Sequence, residues 1–123
     1  MMPYERFEAW QRCHELALLA YRATRSFPAE ERFGLASQLR RSAFSAAVNI
    51  AEGAAKHGRR EFRRFLDISL GSLSEVSYTI RFCREVGLLE PEPGIELEAL
   101  RERASQVTWS LYKSLDPRRH NQP

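Results

Sequence analysis

Between its breakers, every segment of this chain repeats its apolar residues at steps of three and four, and none alternates with period two. The clearest segment runs Phe62, Leu66, Ser69, Leu73, Val76, Ile80 and Cys83. At about 100° per residue these positions share one side of a helix. The last segment repeats the pattern with Leu97, Leu100, Ala104, Val107, Leu111 and Ser114. The first does so with Phe7, Trp10, Ala17, Tyr21 and Thr24, flanked by Cys13, Leu16 and Ala20. No Asn-Gly or Asp-Gly hairpin signal accompanies them. The chain therefore reads as all-α. Strong interruptions fall at Phe27-Pro28, Lys56-His57-Gly58 and Glu90-Pro91-Glu92-Pro93-Gly94, and Asp116-Pro117 closes the last segment. Four helices of roughly 20 to 28 residues with short turns predict an antiparallel up-down-up-down four-helix bundle.

A length of 123 residues is enough for one domain with its own core. Residues 1–117 are expected to form that single domain, and 118–123 a disordered basic tail. No apolar run approaches the roughly 18 residues of a membrane span, and the first residues lack a signal-peptide h-region, so a cytoplasmic protein is expected. Cys13 and Cys83 sit inside apolar helical patterns, which predicts reduced core thiols rather than a disulfide or a metal pair. At the boundaries, Pro28 suits the first turn of helix two, with Glu30 and Glu31 complementing its dipole. Gly58 followed by Glu61 reads as a capping box with glycine at the cap.

The segment from Gln38 to Gly53 is rich in small residues yet carries a polar stripe: Gln38, Arg41, Ser45, Asn49 and Glu52. Leu39, Ala43, Ala46 and Ile50 make the apolar side next to it. With Ser72 and Glu75 of the third helix, the stripe admits two readings, an acid–base constellation or a structural network. We read it as a network at an inner boundary. A buried Arg41 needs a carboxylate, and Glu75 or Glu52 can supply one, while Asn49 can bond a turn backbone or a neighbouring subunit. A second apolar stripe on the same helix, Phe44, Val48 and Ala51 with Ala55, points elsewhere, and Trp109 of the fourth helix lies opposite Leu111 and Val107. Leftover apolar surface of this kind predicts self-association.

A search for chemistry is mostly negative. Gly53 and Gly58 do not make a phosphate loop, and no Gly-Lys-Ser/Thr follows them. His14, His57 and His120 fall in three separate places without Glu-x-x-His pairs, and neither Ser45 nor Ser72 has a histidine to activate it. No catalytic residue, metal or cofactor is expected. Charge placement says more than the formal net charge of +3. In the expected topology the second turn and both termini share one end. That end carries Lys56, His57, Arg59, Arg60, Arg63 and Arg64, opposed by Glu61 and Asp67 and joined by Arg118 and Arg119. The other end collects Glu30, Glu31, Glu85, Glu90, Glu92, Glu96 and Glu98, so the molecule is expected to be electrically polar along its axis. Arg59/Arg63 and Arg60/Arg64 form two columns at four-residue spacing. Guanidinium columns suit phosphate oxygens, though a merely solvated charged end has the same composition. The only aromatics among them, Phe62 and Phe65, read as core, so RNA or DNA would be held by its backbone and shape. The rival reading is a protein–protein scaffold or adaptor for a nucleic-acid enzyme, its arginines serving solubility alone.

Phe27-Pro28, Glu31, Leu35, Gln38-Leu39-Arg40-Arg41, Ser45, Asn49-Ile50-Ala51-Glu52-Gly53, Glu61-Phe62, Phe65-Leu66 and Gly71-Ser72-Leu73-x-Glu75 together resemble the 23S rRNA intervening-sequence protein family, also called the S23 family. The resemblance covers nearly the whole chain. It implies a bacterial, cytosolic four-helix bundle that forms a homo-oligomer, a pentamer, and binds nucleic acid. The related accessory proteins of diversity-generating retroelements form pentameric barrels and bind nucleic acid through basic surface. The family name, taken from genes inside 23S rRNA intervening sequences, does not establish a ribosomal role, and the family supplies no catalytic residue to carry over. Two departures stand out. Ala46-Ala47 replaces a proline present in many relatives, which predicts a straighter helix two. Gly58 replaces the usual serine cap.

Overall fold

The structure, a computed structural model, describes residues 1–120. Four long helices dominate: α1 (Glu8–Ala23), α2 (Leu35–Ala54), α3 (Arg59–Glu85) and α4 (Pro91–Ser114). Short 3₁₀ turns occupy Pro3–Arg6, Thr24–Ser26 and Ala29–Glu31, and the described residues contain no strand. Each helix packs on the two next to it, α1 on α2, α2 on α3, α3 on α4 and α4 back on α1, while the diagonal pairs scarcely touch. This is the antiparallel four-helix bundle expected from the helical period.

The core is lined by Leu16, Leu39, Ile50, Leu66, Leu73, Val76, Ile80 and Leu97, all essentially without solvent contact. Helix α1 turns slightly differently from the sequence expectation. Ala9, Cys13, Leu16, Ala20 and Thr24 are its buried line, Trp10 and Ala17 are half-buried, and Tyr21 is exposed. Helix α2 contributes mainly small residues, Ala36, Ala43, Ala46 and Ala47, and so lies close against α3. Ser69 Oγ donates to the Ala46 carbonyl at 2.7 Å across that seam. At Gly53 the approach is tightest. A Cβ there would lie 2.8 Å from Phe65 Cβ, 2.9 Å from Phe62 Cδ1 and 3.3 Å from the Phe62 carbonyl oxygen. The glycine of the Asn-Ile-Ala-Glu-Gly run is thus a packing requirement.

Three boundaries differ from the sequence reading. Helix α2 starts at Leu35, seven residues after Pro28, and a turn fills the interval. Glu31 still serves the helix, because its Oε1 accepts the Leu35 N–H at 3.3 Å. The third break falls before the prolines. Gly87, at φ 83°, closes α3 with Leu88 N–H on the Cys83 carbonyl at 2.8 Å and Gly87 N–H on the Arg84 carbonyl at 3.2 Å, a Schellman pair. Pro91 and Pro93 then sit in the first turn of α4, where a missing N–H breaks no helical bond. At Gly58, φ is 90°, a conformation that suits glycine, but no capping box forms. The Glu61 carboxylate instead accepts both Nε and Nη2 of Arg64.

Pro117–His120 makes one further helical turn, α5, in the stretch read as a disordered tail, and 121–123 lie outside the described residues. Cys13 and Cys83 are free and buried. Burial pushes both thiols up to about 11, so they remain protonated and poorly nucleophilic at neutral pH. No described helix is long and apolar enough to cross a membrane.

Candidate nucleic-acid interface

The second turn places the start of α3 beside the end of α4, and this juxtaposition separates the two arginine columns. Arg59 Nη2 donates to the Ser114 carbonyl at 2.9 Å, and Arg63 Nε to the Tyr112 carbonyl at 3.1 Å. These carbonyls belong to the last turn of α4, where the dipole favours a cation, and the Tyr112 oxygen accepts the Leu115 N–H at 3.2 Å as well. Arg63 also lies over the Tyr112 ring, 3.9 Å from its centroid, and 3.9 Å from Asp116 Oδ2. The inner column therefore ties α3 to α4.

The outer column faces water. Arg60 is exposed and makes no ion pair or hydrogen bond among the described residues. Arg64 pairs with Glu61 one turn away and rests over Phe65, with Lys56 Nζ 5.6 Å from the same ring. Arg60, Arg63, Arg64 and Arg118 line a cleft of about 530 Å³ with Tyr112, Asp67, Asp116 and Pro117. Arg118 binds Asp116 through its backbone N–H at 3.0 Å and through Nη2 at 3.1 Å. Those bonds, chiefly the side-chain one, hold the Asp116 carboxyl below its ordinary range. Tyr112 and Asp116 escaped the sequence reading. Nothing local marks a tyrosine and an aspartate near a C-terminus as neighbours of an arginine some fifty residues earlier. Tyr112 also corrects the expectation that no aromatic accompanies the arginines, and Trp109 stacks on it with centroids 5.4 Å apart.

The opposite end is mixed rather than acidic. Arg22, Arg25, Arg32, Arg81 and Arg84 sit there among the glutamates, and Arg81 pairs with Glu85 at 2.8 Å. The axial charge separation expected from the sequence is correspondingly weak.

The polar stripe of α2 lies at the surface of the α2/α3 cleft and not at an inner boundary. Gln38 Nε2 donates to Glu75 Oε2 at 2.8 Å, and the Ser45 and Ser72 hydroxyls meet at 2.8 Å. Asn49 Nδ2 bonds within its own helix, to the Ser45 carbonyl at 2.8 Å and Ser45 Oγ at 3.1 Å. Arg41 and Glu52 are a correction. Both are exposed, and neither has an ion pair or side-chain hydrogen bond among the described residues. The helix is rotated so that alanines fill the seam, which leaves the long charged side chains outside it. Among the described side chains no histidine hydrogen-bonds Ser45 or Ser72: His14 stacks on Trp10 at 4.7 Å and His57 sits in the exposed second turn. The described residues hold no cluster of three metal-ligating side chains.

Of the residues expected at a subunit interface, Phe44 is 64 % exposed and Val48 and Ala51 are half-buried. Trp109, 49 % exposed, stacks on Tyr112 and so lies on the α3 side of α4, across the bundle from Phe44.

The family model for the 23S rRNA-intervening sequence protein matches residues 5–110, and the chain belongs to that family. Among solved structures it is similar to a protein of unknown function from the S23 ribosomal protein family of Bacteroides thetaiotaomicron VPI-5482. The TM-score is 0.79 at 20% sequence identity, over 85% of this chain and 95% of that one. A likeness at that identity concerns the fold. No curated protein matches the chain.

Proposed function

We propose that this member of the 23S rRNA-intervening sequence protein family is a non-enzymatic, cytoplasmic bundle that self-assembles and binds RNA or DNA through its phosphates. One observation carries the reading: Arg60, Arg64 and Arg118 gather around a single open cleft while Arg63 and Arg59 hold its floor to α4. Arg60, Arg64, Lys56 and Arg118 are the cations placed to meet phosphate oxygens. Arg59 and Arg63 act indirectly, by fixing the cleft. Tyr112 is half-buried beneath Arg63, so bases have little ring to stack on there, and binding follows the backbone without sequence preference. Assembly into the pentamer implied by the family resemblance would repeat the cleft, and phosphate contacts add through counterion release.

Fluorescence anisotropy with a structured RNA and a duplex DNA tests the reading. The expected result is binding at about 50 mM salt that weakens steeply by about 200 mM, and that is at least about tenfold weaker in Arg60→Glu/Arg64→Glu. Absence of binding to either probe at low salt defeats it and favours the scaffold, in which these arginines only solubilise the end of the bundle.

A further inference from the structure

The Phe27-Pro28 turn between α1 and α2 lies at the other end of the bundle from the arginine cleft, about the 30 Å length of α2 away. It frames a hollow of about 240 Å³ in which Arg25, Arg32 and Arg40 surround Thr24, Phe27 and Pro28. No acidic side chain lines it. Two other arginine-lined hollows carry their own counter-charge. Asp67 and Asp116 stand in the cleft at the second turn, and Glu85 and Glu98 stand with Arg81 and Arg84 between α3 and α4. At the first turn three guanidinium groups meet without a carboxylate, and like charges so gathered repel. An anion relieves that repulsion.

Arg40 is held in place before any ligand arrives. The buried Thr24 hydroxyl donates to the Ala20 carbonyl at 2.8 Å and accepts Arg40 Nε at 2.6 Å. Arg40 Nη2 donates to the Tyr21 carbonyl at 3.2 Å, and the guanidinium lies over the Tyr21 ring, 4.0 Å from its centroid. Its Nη1 has no hydrogen bond among the described residues. Arg25 rests against the same ring at 5.4 Å, and neither it nor Arg32 has an ion pair or side-chain hydrogen bond among the described residues. We propose that this hollow binds a terminal phosphate, the phosphomonoester group of a nucleotide or of a nucleic-acid 5′ end. Three guanidinium forks match three terminal oxygens and a double negative charge, where a carboxylate or a phosphodiester offers two oxygens and one charge. Because Arg40 is already fixed, little ordering entropy opposes the contact. Phe27, Pro28 and Ala36 give the carbon side of the ligand an apolar wall. The site does not depend on the cleft at the second turn.

Isothermal titration calorimetry of the full chain with adenosine 5′-monophosphate at about 50 mM salt tests the site. Binding is expected, at least about tenfold weaker in Arg25→Gln/Arg32→Gln and weaker again in Arg40→Lys, which keeps the charge and loses the fork. Arg25 and Arg32 are exposed, so the double variant should match wild type by far-UV circular dichroism. The Arg60→Glu/Arg64→Glu variant should bind the nucleotide as wild type does, whatever becomes of its RNA or DNA binding. Adenosine should not bind, and the 3′,5′-cyclic monophosphate, a diester, should bind at least about tenfold more weakly. No binding of the monophosphate at millimolar concentration, or equal affinity in Arg25→Gln/Arg32→Gln, overturns the site. Equal affinity for the cyclic diester overturns the terminal phosphate as its ligand. In the Arg60→Glu/Arg64→Glu background, a 5′-phosphorylated oligonucleotide that outbinds its 5′-hydroxyl counterpart identifies the strand end as the source of the phosphate; strands that bind alike identify the free nucleotide.

Discussion

The two arginine columns at the start of α3 differ by one residue in sequence and by their whole environment in space. Arg59 and Arg63 point at α4 and complete its last turn, donating to the Ser114 and Tyr112 carbonyls. Arg60 and Arg64 point outward, one without a described partner and the other paired only with its own helix. Identical side chains on adjacent columns thus serve cohesion in one case and leave charge free for a ligand in the other. A basic cluster is not one functional unit. Its members divide according to which of them a neighbouring helix has already engaged.

The largest effect should come from the outer column. Arg60→Glu/Arg64→Glu is expected to weaken RNA or DNA binding at least about tenfold at 50 mM salt. It should also flatten the salt dependence, by about one unit of slope for each phosphate no longer neutralised. Thermal stability should hardly change. Equal losses of stability and binding in that variant would erase the distinction between the columns. Next is Arg63→Ala, which removes a charged donor from a helix-end carbonyl and a cation from the Tyr112 face. Chemical denaturation should show a loss of roughly 2 kcal/mol. Arg59→Ala, more exposed, should cost about 0.5 kcal/mol by the same assay. Arg60→Ala should stay within about 0.5 kcal/mol of wild type, as should Arg41→Ala, whose side chain reaches solvent.

Acid dependence sharpens the comparison at its weakest point. The folded state holds Asp116 below its ordinary range, mainly through Arg118, with Arg63 contributing. The stabilisation is therefore present above the unfolded carboxyl value, about 3.9. It is lost as pH falls through the lower folded value. Asp116→Asn should remove that component, so its stability should fall less than that of wild type below about pH 4. Parallel acid curves for the two proteins would show that the latch between Asp116, Arg118 and the inner column contributes nothing.

Much of the fold was legible because it depends on local properties. The three- and four-residue period identified the helices, and the Phe27-Pro28, Lys56-His57-Gly58 and Glu90–Gly94 breakers placed the turns to within a few residues. The error at the third turn has a simple cause. Prolines 91 and 93 mark a break from sequence, but a proline in a first turn begins a helix as readily as it ends one, and Gly87 was the residue that closed α3. The site was less legible. Lys56, Arg60 and Arg64 were found where a solvated basic turn would put them. Tyr112 and Asp116 were not, and Arg41 and Glu52 were assigned to an interior they do not enter. A helical stripe reveals which residues share a side, not which side the bundle covers.

What the sequence determined by itself was the set of helices, their antiparallel order and the end at which the arginines collect, because period, breakers and chain direction are encoded within each segment. Only the tertiary structure decided what the charges do. The partner of Arg63 is a carbonyl 49 residues away and that of Arg59 one 55 residues away. The exposure of Arg41 and Glu52 depends on how far α2 rotates as its alanines and Gly53 settle against α3. Those distances and that rotation are set by the packing of whole helices, and side-chain identity carries no record of them.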